Sequence, residues 1–148
     1  MWCHIAHLFP TASDNKNRLS KYINHENDVD YTGITFPVTW NQINKIEKLN
    51  EINFNIFTLD DKEKYIIPLY ISNNNYDKIC DMLLIRKVID NTIKSHYVLI
   101  TDLSKLLYNQ NKTHKKVSYC RRYLQHFYRM EKLNDHTIYC NKIDPQKF

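Results

Sequence analysis

The chain has 148 residues, enough for one domain with a real core, or for a domain and a small appendage. Hydrophobic residues at 43% and aromatics at 13% exclude a disordered tail, and a single glycine, Gly33, excludes the glycine-rich loops by which familiar nucleotide-binding enzymes cradle phosphate. The net charge of +5 is uneven, with 11 Lys and Arg against 12 Asp and Glu in residues 1–100 but 10 against 4 in residues 101–148, a distribution suited to a phosphate-bearing partner.

In chain order, "MWCHIAHLFP" reads as a short helix closed by Pro10, and "NRLSKYINHEND" as a second with polar ends. An extended piece around Ile34 to Val38 precedes a helix from about Thr39, whose Ile43, Ile46 and Leu49 give it one apolar face. Four runs, "INFNIFTL", "KYIIPLYIS", "DMLLIRKVI" and "SHYVLITDL", are rich in β-branched and aromatic residues and separated by turn-prone segments, which predicts consecutive strands. Such short connections favour antiparallel pairing. Pro68 in the second run predicts an edge position or a bulge. A helix at "TDLSKLLYN" and a basic linker, "QNKTHKKVS", lead to the C-terminal segment.

The expected architecture is α+β, with helices packed on a small antiparallel sheet over residues 1–110. A short, basic, degenerate ββα finger-like module follows over residues 111–148. The cysteines Cys3, Cys80, Cys120 and Cys140 are widely spaced, and nothing resembles a signal peptide. No apolar run reaches the about 18 residues that cross a bilayer. These features predict free thiols, a soluble intracellular protein in nucleus or cytoplasm, and no membrane partner.

The finger reading comes from "YCRRYLQHFYRMEKLNDHTIYC". A finger of the common type places two ligands on a hairpin and two on the following helix, with an aromatic and a leucine forming a tiny core between them. Here Cys120, Tyr123, His136 and Cys140 fall at C-x2-Y-x12-H-x3-C, with Phe127 and Leu133 at the two core positions. Cys120, His136 and Cys140 are therefore candidate zinc ligands. Tyr123, a neutral phenol, stands where a thiolate belongs, so the expected zinc binding is weak or residual, with water, His126 or His114 as substitutes in the fourth place. With a helix starting near Met130, Arg129 and Lys132 take base-facing positions and Lys116, Arg121 and Arg122 face phosphates, the candidate nucleic-acid-binding set.

Several strings in order, "WCHIAHLFP", "TGITFPVTWNQINKIEKLNEINFNIF", "IIPLYIS", "DMLLI", "SHYVLITDLSKLL" and the finger segment, resemble a region upstream of the protein-primed family B DNA polymerases of Maverick (Polinton) transposons and related viral insertions. The resemblance implies a papain-like or OTU-like relic in the body. The family's cysteine stands three residues before the tryptophan matching Trp2, a position before Met1, and its His-Tyr pair matches His96 and Tyr97. Cys3 lies about 100° round a helix from Trp2, and Asp102 shares the strand parity of His96.

Three readings follow. The first is a non-enzymatic nucleic-acid-binding or accessory protein of mobile-element origin with residual zinc binding and no catalytic residues. The second is a cysteine hydrolase, or its inactive relic, using His96 with Cys3 or an upstream cysteine. The third is a protein-interaction domain.

Overall fold

The computed structural model describes all residues except 13, 61, 63, 112–114, 116, 141 and 143–148. Its centre is a mixed four-stranded sheet of β1 (Ile52–Leu59), β2 (Ile66–Ile71), β3 (Lys78–Ile89) and β4 (Thr92–Leu99), in the order β2-β1-β3-β4. The four apolar runs are indeed four strands, but the expectation of a wholly antiparallel sheet is corrected. β1 pairs antiparallel with β2 and β3 with β4, while the central pair, β1 and β3, is parallel.

The physical reason lies in β1, buried from Ile52 to Thr58 on both faces, which makes it the natural central strand. Short connections do set β2 and β3 antiparallel in direction; β1 simply lies between them. The link 72–77 crosses the end of β1 and is held by its buried asparagines. Asn53 Nδ2 donates to the Tyr76 carbonyl at 2.6 Å, Ser72 Oγ donates to Asn53 Oδ1 at 3.1 Å, and the Ser72 N–H reaches Asn55 Oδ1 at 3.3 Å. Pro68 sits on the edge strand β2, where the pairing slips between Ile56 and Phe57, as its ring predicts.

Strand alternation gives the sheet two covered faces. On the first, Ile52, Phe54, Ile56, Cys80 and Leu84 pack with Ile43 and Ile46 of α2 (Trp40–Asn50), and Leu8 of α1 (Trp2–Leu8) joins them. Helix α2 begins where expected, the Thr39 N–H donating to Gln42 Oε1 at 3.1 Å. Its inner face departs from the expected stripe: Leu49 is exposed, and Glu47 is fully buried. On the second face, Phe57, Leu83 and Ile66 meet Leu107 of α3 (Leu103–Asn111) together with Val117, Tyr119 and Leu124. Gln110 ties α3 to β2, accepting the Ile66 N–H at 2.7 Å and donating to its carbonyl at 3.1 Å.

The helix expected over "NRLSKYINHEND" is instead two 3-10 turns, Leu19–Lys21 and Ile23–Asp28. Only Tyr22 is buried along that stretch, so no apolar stripe drives a regular helix, and polar side chains bond locally, as His25 Nδ1 does with Asp28 at 2.8 Å.

His4 of α1 is buried edge-on against Phe54, with Nδ1 3.2 Å from the Tyr31 hydroxyl and Nε2 without a partner. Burial pushes its pKa from 6.5 down to about 4. The unfolded chain takes up this proton as pH falls through the ordinary value, and the folded chain does so only near the depressed one. Stability is therefore complete above the unfolded pKa and is lost as pH falls toward the folded one, by roughly 3 kcal/mol in all. Urea unfolding of His4→Phe should show a smaller loss between about pH 7 and about pH 4.5 than the parent chain. Equal losses would remove His4 as the cause.

Among the described residues, no helix is long and apolar enough to cross a membrane.

Candidate metal centre

The C-terminal segment forms two short antiparallel strands, β5 (Ser118–Tyr119) and β6 (His126–Phe127), followed by α4 (Met130–Cys140), which starts at the expected residue. Between the strands the chain turns tightly. The Leu124 N–H donates to the Cys120 carbonyl at 2.7 Å and the Cys120 N–H to the Gln125 carbonyl at 2.9 Å, with Leu124 in the left-handed region at φ 52°. This turn aims Cys120 at α4.

One helical turn separates His136 from Cys140, so both meet Cys120 from the same side of α4. The three donor atoms lie within 4.8 Å of one another, and the Cys120 and Cys140 sulfurs are 3.6 Å apart, far beyond a disulfide bond. Both cysteines are buried and free. His136 Nε2 is buried without a hydrogen-bond partner, and Phe127 packs on the imidazole at 5.0 Å between ring centres. Without a cation, burial first and the hydrogen bond with Cys120 second raise the Cys140 thiol pKa to about 11. A bound metal ion reverses that cost, because it takes the thiolate form. These residues form a group able to hold a metal ion.

The other candidates fall differently. Tyr123 is 46% exposed, its ring edge-on to His136 with centres 6.5 Å apart. His126 faces the rings of Tyr119 and Tyr128 and stands outside the cluster. His114 and Lys116 lie outside the described residues.

Arg121 does not face solvent phosphate as expected. Its Nε donates to both Asp81 oxygens, at 2.9 and 3.0 Å, and Asp81 also accepts from Asn55 Nδ2 at 2.9 Å. Asp81 is buried on β3, so Arg121 anchors the segment to the second face of the sheet. The signal for this was present as one acid in an otherwise apolar run, but its partner is 40 residues away in sequence. Arg122 reaches Asn73 Oδ1 at 3.0 Å. Arg129 and Lys132 are exposed, the latter with a 3.8 Å ion pair to Asp135 that is too exposed to hold it firmly.

Cys3 and His96 are not brought together. The Cys3 thiol donates to the Tyr97 carbonyl at 3.3 Å on the first face of the sheet, where Tyr97 and Leu99 point. Alternation turns the exposed His96 to the second face, and burial raises the Cys3 pKa, the opposite of an activated thiol. Compared with protein-family models, curated proteins and solved structures, the chain shows no match, so its site is read from its own geometry.

Proposed function

We propose that the protein is a non-enzymatic, zinc-binding accessory module that contacts nucleic acid. The observation that carries the reading is the convergence of Cys120, His136 and Cys140. Two thiolates and an imidazole suit zinc, and a tetrahedron with bonds of about 2.3 Å to sulfur places two sulfurs about 3.8 Å apart. The observed 3.6 Å is close to that, and the 4.8 Å span requires a closure of at most about 1 Å. Zinc would then fasten the turn at Cys120 to α4, completing a finger-like unit that the Arg121 to Asp81 bond already docks on the sheet.

The nucleic-acid part of the reading is supported by the exposed Arg129, just before α4, and Lys132 on the helix, and by a feature the sequence did not suggest. Lys87 and Lys94 are paired directly across the β3–β4 hairpin, on the sheet face that carries the C-terminal segment, and neither has an ion-pair partner among the described residues. Like charges set opposite each other destabilise a ladder, and a polyanion would relieve them. The resemblance to the region preceding Maverick-type polymerases supports an accessory role.

Two measurements test the reading. Elemental analysis of protein purified without chelator should find near one zinc per chain, lost in Cys120→Ser. Binding to DNA should fall steeply with salt and weaken by about tenfold or more in Arg129→Glu/Lys132→Glu. No zinc in the parent chain removes the metal, and salt-independent binding removes the phosphate contacts.

A further inference from the structure

We infer that Cys120 and Cys140 are an oxidation site: hydrogen peroxide joins them in a disulfide, and the disulfide and a metal ion exclude each other as clasps between the turn after β5 and α4. The exclusion of the metal rests on the zinc reading above; the disulfide does not. Two observations carry the inference. The two thiols are free, yet their sulfurs lie 3.6 Å apart, in contact without a bond, although the residues are 20 apart in sequence. Both residues also line a cavity of about 230 Å³ between the C-terminal segment and the link across β1, whose other walls include Ser72, Asn74 and Thr137. This polar space has room for a reagent little larger than water beside sulfurs that are otherwise buried.

Position sets the pair apart from the other cysteines. The Cys3 thiol donates to the Tyr97 carbonyl at 3.3 Å, and Cys80 is fully buried in the core on the first face of the sheet. Neither Cys120 nor Cys140 has to be unusually reactive, because the second sulfur is already in place when the first has reacted. One sulfur attacks the peroxide, keeping one oxygen as a sulfenic acid and releasing the other as water. The second sulfur then displaces that oxygen as a second water and closes the S–S bond. Two electrons pass from the sulfurs to the peroxide O–O bond, and both thiol hydrogens end in the waters. A disulfide holds its sulfurs about 2.05 Å apart, whereas zinc holds two thiolates about 3.8 Å apart, so one pair cannot do both. Closing from 3.6 Å moves the sulfurs together by about 1.5 Å. The turn stays fastened to α4, but both thiolates are withdrawn from the metal. Of the three donors only His136 remains, and the ion leaves unchanged.

The experiment treats the full chain with hydrogen peroxide, once loaded with zinc and once stripped by chelator. Alkylation and peptide mapping by mass spectrometry locate the disulfides, and an indicator dye reads the released zinc. In the stripped chain a single link between Cys120 and Cys140 is expected, unchanged in Cys3→Ser and lost in Cys140→Ser. In the loaded chain the same link should appear with the loss of one zinc for each disulfide, and a dithiol reductant should restore zinc binding. A disulfide through Cys3 or Cys80, a link between two chains, or thiols that stay reduced or pass to sulfinic acid without linking would overturn the site. A chain that links Cys120 to Cys140 but never takes up zinc would remove the metal reading and leave the oxidation site standing. Zinc retained after the link has formed would overturn the exclusion.

Discussion

Tyr123→Cys should tighten zinc binding on the order of a hundredfold. A closed structural site holds its ion by about 10–16 kcal/mol, so each of four ligands accounts for roughly 3 kcal/mol, or about two powers of ten. Position 123 lies in the same tight turn as Cys120, and its ring already reaches to the edge of His136. A thiolate there completes a site of three cysteines and one histidine. Competition with a chelator of known affinity measures the change, with Tyr123→Phe as the control that removes only the hydroxyl and should bind zinc like the parent. An unchanged affinity in the cysteine variant would show that residue 123 does not address the ion.

The second large effect concerns a residue far from the metal. Glu47→Ala should destabilise the fold by roughly 3–5 kcal/mol. Glu47 is fully buried and uses both oxygens: one accepts the Phe54 N–H at 2.7 Å, and the other accepts the Tyr70 hydroxyl and the Asn74 amide, each at 2.8 Å. Pairing between β1 and β2 stops at Asn55 and Ile71, so Glu47 satisfies a backbone donor of β1 just beyond the end of the ladder. One side chain thus joins α2, β1, β2 and the link that crosses the sheet. Truncation leaves several buried donors without acceptors, which costs more than the loss of the bonds themselves. Urea unfolding should show the loss, whereas Lys48→Ala, one residue along and exposed, should stay within about 0.5 kcal/mol of the parent. A small effect at Glu47 would mean that water replaces its contacts.

Local chemistry makes much of this molecule legible in its sequence. Apolar runs bounded by turn residues announced four strands, Thr39 announced the start of α2, and the spacing of Cys120, His136 and Cys140 announced a cluster that the fold assembles. Each depends on residues close in sequence or on a fixed repeat. What escaped depends on partners that no repeat encodes. The parallel seam between β1 and β3 follows from which strand can be buried on both faces, a comparison among strands rather than a property of one. Arg121 looked like a phosphate ligand because a charge count does not know that Asp81 is buried opposite it. The stripe through Leu49 failed for a related reason: Glu47 had buried donors to satisfy, and the helix turned that side inward. The hydrolase dyad failed by strand parity, since Cys3 packs where Tyr97 points and His96 points the other way.

The mixed sheet also dictates an order of assembly. β1 with β2, and β3 with β4, are hairpins whose strands are neighbours in sequence, so each can close quickly over a short loop. The parallel seam joins residues 26 apart, such as Ile52 and Lys78, and can form only when one hairpin slides against the other. That docking step makes the pairing most distant in sequence within the sheet and should set the folding rate. Substitutions at Asn53 and Asn55, which hold the crossing link to the seam, should therefore slow refolding, while changes at the far tip of the β3–β4 hairpin should act mainly on unfolding.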